Sequence, residues 1–116
     1  MVTASKAPDI LVDELRVHRG KTRILDIDEL TFPGGTISVL LGPPGAGKTL
    51  LFFCLDRLVE EMEGLKVTGR IRLGDEEISS IEPVTELRRR IAYVPPQAPA
   101  FPGTVLQNLC YGLAAQ

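Results

Sequence analysis

The chain has 116 residues, of which 44% are hydrophobic and 24% charged, a balance that fits one small folded domain and excludes a disordered or low-complexity chain. The net charge of −2 and the lack of any sustained basic face beyond Arg88-Arg89-Arg90 argue against a nucleic-acid surface. No apolar run reaches the length of a membrane span, and Met1–Lys6 lacks the apolar core of a signal peptide, so the expectation is a cytosolic protein. Cys54 and Cys110 are too few and too far apart for a disulfide framework or a zinc site, and are expected reduced and packed.

Residues 1–9 read as a loose leader, polar and closing at Pro8-Asp9, and residues 10–116 as the folded part. Ile10–Val17 alternates as a strand, His18–Thr22 is a polar turn, and Arg23–Ile27 with Glu29–Phe32 continues the extended pattern, so antiparallel pairing is expected. Pro33-Gly34-Gly35 makes a tight turn. Thr36–Leu41 then reads as a buried strand that delivers the chain to the next segment.

That segment, Gly42-Pro43-Pro44-Gly45-Ala46-Gly47-Lys48-Thr49, matches the phosphate-loop pattern G-x-x-x-x-G-K-[ST] at every fixed position, with a predicted strand before it and a predicted helix behind it. Gly42, Gly45 and Gly47 carry no Cβ, so the backbone can wrap tightly and turn its N–H groups toward an anion. The helix N-terminus adds partial positive charge, Lys48 reaches toward β- and γ-phosphates, and the Thr49 hydroxyl is the expected Mg²⁺ ligand. Nucleotide binding is the function this predicts.

Beyond the loop, Leu51, Leu55, Leu58, Val59 and Met62 recur on one helical face, predicting a helix from Thr49 that ends near Gly64 with that face in the core. Phe52 and Phe53 widen the apolar surface and are expected to pack on the sheet. Val67–Leu73 alternates as a strand, Gly74-Asp75 turns it, and Glu76–Ser79 returns. Asp75, Glu76 and Glu77 are read as solvated turn carboxylates. Pro83 opens a short helix over Thr85–Arg90, Ile91–Val94 is a short apolar strand stopped by Pro95-Pro96, and Thr104–Tyr111 predicts a last helix with Val105, Leu106 and Leu109 inward.

The order of these features, an antiparallel start, the phosphate loop, a helix, a strand pair opened by Thr68-Gly69-Arg70-Ile71, the Leu87-Arg88-Arg89-Arg90-Ile91 segment and a loop bearing Gln97, resembles the first half of the ATP-binding subunit of an ABC transporter. Cys54–Leu58, Val67–Arg70, Arg88–Pro102 and Asn108–Gly112 look most like the phosphate-importer ATPases of that family. The resemblance implies an α/β fold of the ABC-type P-loop NTPase class: an antiparallel β subdomain plus part of a parallel-sheet core, truncated before the helical subdomain. It also implies ATP and Mg²⁺ as cofactors. The implied partners are a second nucleotide-binding subunit, as a homodimer, and membrane permease subunits, at the inner face of the cell membrane.

Carried over by position, Gly42, Pro43, Pro44, Gly45, Ala46, Gly47, Lys48, Thr49 and Leu50 would line the nucleotide, although Leu50 stands where the family usually has a second hydroxyl and cannot donate to an α-phosphate. The family stacks an aromatic residue on adenine before the first-turn glycine. Here that position is Arg19, preceded by His18, and either can stack through a planar face. A gap-free comparison puts Pro96 where the family's glutamine falls. Gln97, one residue later, is the residue expected near Mg²⁺ and the attacking water.

The chain contains no signature segment, no second acidic strand end and no switch histidine, since His18 is its one histidine. The resemblance therefore implies a transport ATPase when completed and dimeric, and nucleotide contact without appreciable turnover for these residues alone. Two other readings are a non-hydrolysing regulatory module and a non-transport ATPase of the same superfamily. Unpaired parallel strands are also expected to leave the domain marginal or self-associating.

Overall fold

The structure is a computed structural model and describes residues 6–114. Its centre is a four-stranded antiparallel sheet in the order β2-β1-β3-β4, built from β1 (Ile10–Arg19), β2 (Thr22–Phe32), β3 (Leu65–Leu73) and β4 (Glu76–Glu77). The predicted first hairpin is present, and its turn shrinks to Gly20-Lys21 because pairing continues to Arg19↔Thr22. The predicted return after Gly74-Asp75 is strand only over Glu76–Glu77 and then coils into a single 3₁₀ turn at Ile78–Ser80.

One sheet face is apolar and one is charged, as an antiparallel sheet with a single covered face requires. Val12, Leu15, Val17, Leu25, Ile71 and Leu73 turn inward and are buried. The odd step from Val12 to Leu15 is resolved by a bulge. Glu14 has φ +49°, the β1–β3 register shifts between Asp13 and Arg16, and Gly69 beside it adopts φ +100°. The extra residue lets both apolar side chains face the core.

Against that face lies α1 (Lys48–Leu55), burying Leu51, Cys54 and Leu55. The predicted long helix is corrected here: it stops at Leu55, Arg57 takes the left-handed conformation at φ +62°, and Leu58–Glu61 is a 3₁₀ turn. Tertiary bonds hold this break open against helix propensity. Arg57 donates to Ile81 O at 2.8 Å and pairs with Glu60 and Glu82 at 2.8 and 3.0 Å. From α2 (Val84–Arg90), Arg88 donates to Asp56 O at 3.1 Å and to Arg57 O at 3.3 Å, so it satisfies carbonyls where the helix ends. The phase change keeps Val59 buried but turns Met62 out of the core, contrary to its predicted place.

Neither the strand predicted over Thr36–Leu41 nor that over Ile91–Val94 forms among the described residues, so the expected part of a parallel-sheet core is not seen there. Thr36–Leu41 joins no ladder, and Ile37, Val39 and Leu41 are 95%, 75% and 86% exposed. Ile91–Val94 likewise joins none: Ile91 packs on the core while Val94 is exposed. The reason is partnership, because an apolar run becomes a strand only beside another strand. Both segments flank α1, where Phe53 meets Tyr93 edge-on at 5.5 Å and Phe52 lies 6.4 Å from the same ring. Phe52 thus packs on Tyr93 and is only partly covered, whereas Phe53 packs against the core as expected.

The last predicted helix is α3 (Val105–Leu109), capped by Thr104 and Gln107 in a reciprocal pair, followed by α4 (Tyr111–Ala114). Val105, Leu106 and Leu109 do not face inward as predicted but are exposed, since no described element covers them. Cys110 is exposed too, which corrects its expected packing. Residues 1–5 of the predicted leader lie outside the described residues. Asp9 accepts from Gly34 N at 2.7 Å through its carboxylate and from Gly74 N at 2.8 Å through its carbonyl, tying the start of β1 to two turns.

Cys54 is packed as expected, and its thiol is pushed up from 9.0 to about 11, first by burial and then by the neighbouring Asp56 carboxylate. A raised folded-state value favours the neutral thiol, so its contribution is complete below pH 9 and is lost as pH rises through 11. Urea unfolding is expected to show the wild type losing about 1–2 kcal/mol more than Cys54→Ala over that window. Equal losses would mean that the thiolate is tolerated in place.

Candidate functional site

The phosphate-loop segment is folded into a turn ahead of α1. Gly45 and Gly47 have φ +81° and +98°, backbone that L side chains rarely adopt, and Ala46 N donates to Pro43 O at 3.2 Å to close the turn. Among the described residues the N–H groups of Gly45, Gly47, Lys48 and Thr49 meet no acceptor in the chain. Four donors at the N-terminal end of an apolar helix form a concave partial positive charge, the arrangement that binds anions.

Lys48 folds back over this concavity. Its ammonium donates to Gly42 O and, at 3.0 Å, to Pro43 O, so the cation is parked on the loop's own carbonyls within reach of whatever the amides hold. Thr49 is exposed at the mouth, and Leu50 is half-buried with its side chain packed against the core, which agrees with its inability to donate to a ligand. Gly42 sits close to Lys48: a Cβ there would lie 3.7 Å from its Nζ.

A wall that the sequence did not reveal comes from β2. A Cβ on Gly47 would lie 3.0 Å from Leu25 Cδ1 and 3.6 Å from Ile24 O, so the loop leans on this edge strand. Ile24 and Pro44–Leu50 line a recess of about 350 Å³. A larger groove, about 590 Å³, runs along β2 from Arg23 to Leu30 and takes in Leu40, Leu41, Gly47 and Lys48. Both volumes suit a nucleotide-sized ligand. The clue in sequence was the absence of side-chain bulk at Gly47, but only the fold tells which strand fills it.

The remaining predicted residues stand apart. Arg19 is exposed at the end of β1, opposite Thr22, and lines neither cavity, although its hairpin continues directly into Ile24 and Leu25. Gln97 is exposed in the loop after Pro95-Pro96 and also lines neither. Glu76 pairs with Arg90 at 3.3 Å and Glu77 with Arg70 at 3.4 Å, both at the surface as expected. No cluster of three metal-ligating side chains occurs among the described residues, and no helix among them is long and apolar enough to cross a membrane.

Comparison with known proteins decides the family. The model of the ABC transporter family matches residues 25–116, from the β2 wall through the loop to the end of the chain. The chain belongs to the ABC transporter family. Curated relatives include the phosphate import ATP-binding protein PstB 1 of Vibrio vulnificus (strain YJ016), 33% identical over 108 residues. PstB 1 of Vibrio parahaemolyticus and PstB 2 of Aliivibrio fischeri are each 32% identical. These alignments cover 92% of this chain and 40% of each relative, so the chain spans well under half the length of the proteins it matches. Membership in the ABC family places the loop in a P-loop NTPase fold, and the relatives identify its kin as ATP-binding subunits.

Proposed function

We propose that this chain binds ATP with Mg²⁺ at Gly42–Thr49 and forms part of the ATPase subunit of an ABC transporter. The observation that carries this is the loop itself: left-handed glycines leave four N–H groups unpartnered in front of α1, with Lys48 folded over them. The donor set suits a triphosphate, since the amides and the ammonium all donate and no carboxylate intrudes on the recess of Ile24 and Pro44–Leu50. Thr49 supplies one oxygen for Mg²⁺, an ion that takes its remaining ligands from phosphates and water. Bound there, Mg²⁺ neutralises phosphate charge.

In this reading residues 10–116 are the N-terminal part of the nucleotide-binding domain. Arg19 lies beyond Ile24 on the base side and contacts adenine, and Leu50 lines the site through its backbone. Gln97 serves as the metal and water contact once its loop closes, taking the role that Pro96 cannot fill. The subunit pairs with a second copy and acts on permease subunits at the inner face of the membrane. Phosphate is the transported substrate, a reading supported by the names of the relatives.

Displacement of a fluorescent ATP analogue from the purified chain tests the core of this. ATP and ADP are expected to compete with similar strength, AMP and adenosine at least tenfold more weakly, because the grip is on the distal phosphates. Thr49→Ala should remove the Mg²⁺ dependence of ATP binding. Equal competition by adenosine would refute a phosphate-centred site.

A further inference from the structure

β2 carries an irregularity beside the phosphate loop. Val17 of β1 stands opposite Leu25 and His18 opposite Arg23, so Ile24 is an extra residue with no partner on β1. In an unbroken strand Arg23 would share the inward face of Leu25. The bulge turns it instead to the charged face, where it pairs with Asp26 at 2.7 Å. Leu25 stays on the apolar face, buried, with the fully buried Val17 across the ladder from it.

The two groups at this bulge meet the loop at one residue. The space a Cβ on Gly47 would take is closed by Leu25 Cδ1 at 3.0 Å and Ile24 O at 3.6 Å, whereas a Cβ on Gly45 would meet nothing within 4 Å and one on Gly42 only Ala46 and Lys48 of the loop itself. Gly47 is therefore the one loop glycine backed by another element. Gly42–Ala46 are all exposed, and Gly47, half-buried, carries the left-handed turn at φ +98° that leads into Lys48 and Thr49. Donors already held in place cost little to order when an anion arrives, and donors that wander cost more.

We propose that Leu25, set beside the loop by the bulge at Ile24, is a positioning residue for phosphate binding: it backs Gly47 and so holds the Gly47, Lys48 and Thr49 amides in the arrangement that a phosphate chain accepts. The inference rests on reading Gly42–Thr49 as the nucleotide site. Leu25 acts through Gly47 and not by touching the ligand. Its effect is therefore the same for every ligand gripped by its phosphates, whether or not a nucleoside is attached.

Calorimetric titration of the full chain with tripolyphosphate and with Mg²⁺-ATP makes the test. Leu25→Val removes the methyl that lies nearest Gly47, and both ligands are expected to bind about tenfold more weakly, because donors displaced by about 1 Å no longer converge on one anion. Leu25→Met, which keeps reach and volume, should return both affinities to within about twofold of wild type. Leu73→Val shortens a buried leucine by the same amount at the opposite end of the sheet, across from Ile10 and away from both cavities, and should leave both affinities unchanged. Melting curves check that each variant folds, and Leu25→Ile takes the place of Leu25→Val, with the same expectation, if the latter does not. Wild-type affinity in the shortened Leu25 variant, or an equal loss in Leu73→Val, overturns the positioning role while leaving the loop reading intact. A loss for ATP alone overturns it as well, since the side chain then meets the nucleoside. Failure of the wild type to bind either ligand overturns both.

Discussion

Lys48→Ala is expected to weaken ATP binding about 100-fold while leaving the fold in place. In the structure the ammonium rests on Gly42 O and Pro43 O, contacts at the exposed loop whose loss costs on the order of 1 kcal/mol of stability or less. With a triphosphate present the same group meets a multiply charged acceptor, and a charge-assisted bond of about 1.5–3 kcal/mol corresponds to roughly ten- to a hundredfold in affinity. Coulombic attraction to the neighbouring phosphate oxygens takes the effect to the upper end of that range. Calorimetry at fixed ionic strength reads the loss, and a melting curve checks the fold. An affinity within about threefold of wild type would show that the lysine does not reach the ligand.

Gly69→Ala is expected to be the most damaging single-methyl change in the sheet. A Cβ at that position would overlap Glu14 O and lie 2.6 Å from the Glu14 carbonyl carbon and 2.8 Å from Asp13 O, and all three are backbone atoms that cannot swing aside. The φ of +100° adds strain of its own. Opening the bulge would also disturb the step that places Val12 and Leu15 in the core. The cost should be about 3–4 kcal/mol. At about 4–8 °C per kcal/mol for a domain near this size, the melting temperature should fall by more than about 10 °C. A change below about 3 °C would mean that the bulge rearranges freely.

What could be read in the sequence were features whose cause is local. The alternation of Ile10–Val17, the turn at Gly20, the start of a helix at Thr104 and the spacing of Gly42, Gly45, Gly47 and Lys48 are determined by neighbouring residues, and they appear in the structure. What failed depends on distant partners. Thr36–Leu41 and Ile91–Val94 have strand composition but no strand beside them among the described residues. The helix after the loop breaks at Arg57 because Ile81, Glu82 and Arg88, far along the chain, supply bonds that a continuous helix would forgo. Val105, Leu106 and Leu109 have the right spacing for an inward face and nothing to face. The β2 wall was hidden for the same reason, since the contact of Gly47 with Leu25 joins segments whose proximity no local pattern records.

Gly45, Gly47, Lys48 and Thr49 hold their backbone amides free for an anion, and amide NMR of the uniformly labelled chain observes them one by one. Adding Mg²⁺-ATP is expected to shift the Gly45, Gly47, Lys48 and Thr49 N–H resonances strongly downfield, with adenosine leaving them in place. Shifts confined to residues outside Gly42–Leu50, or identical shifts with adenosine, would contradict the claim that this loop grips terminal phosphates.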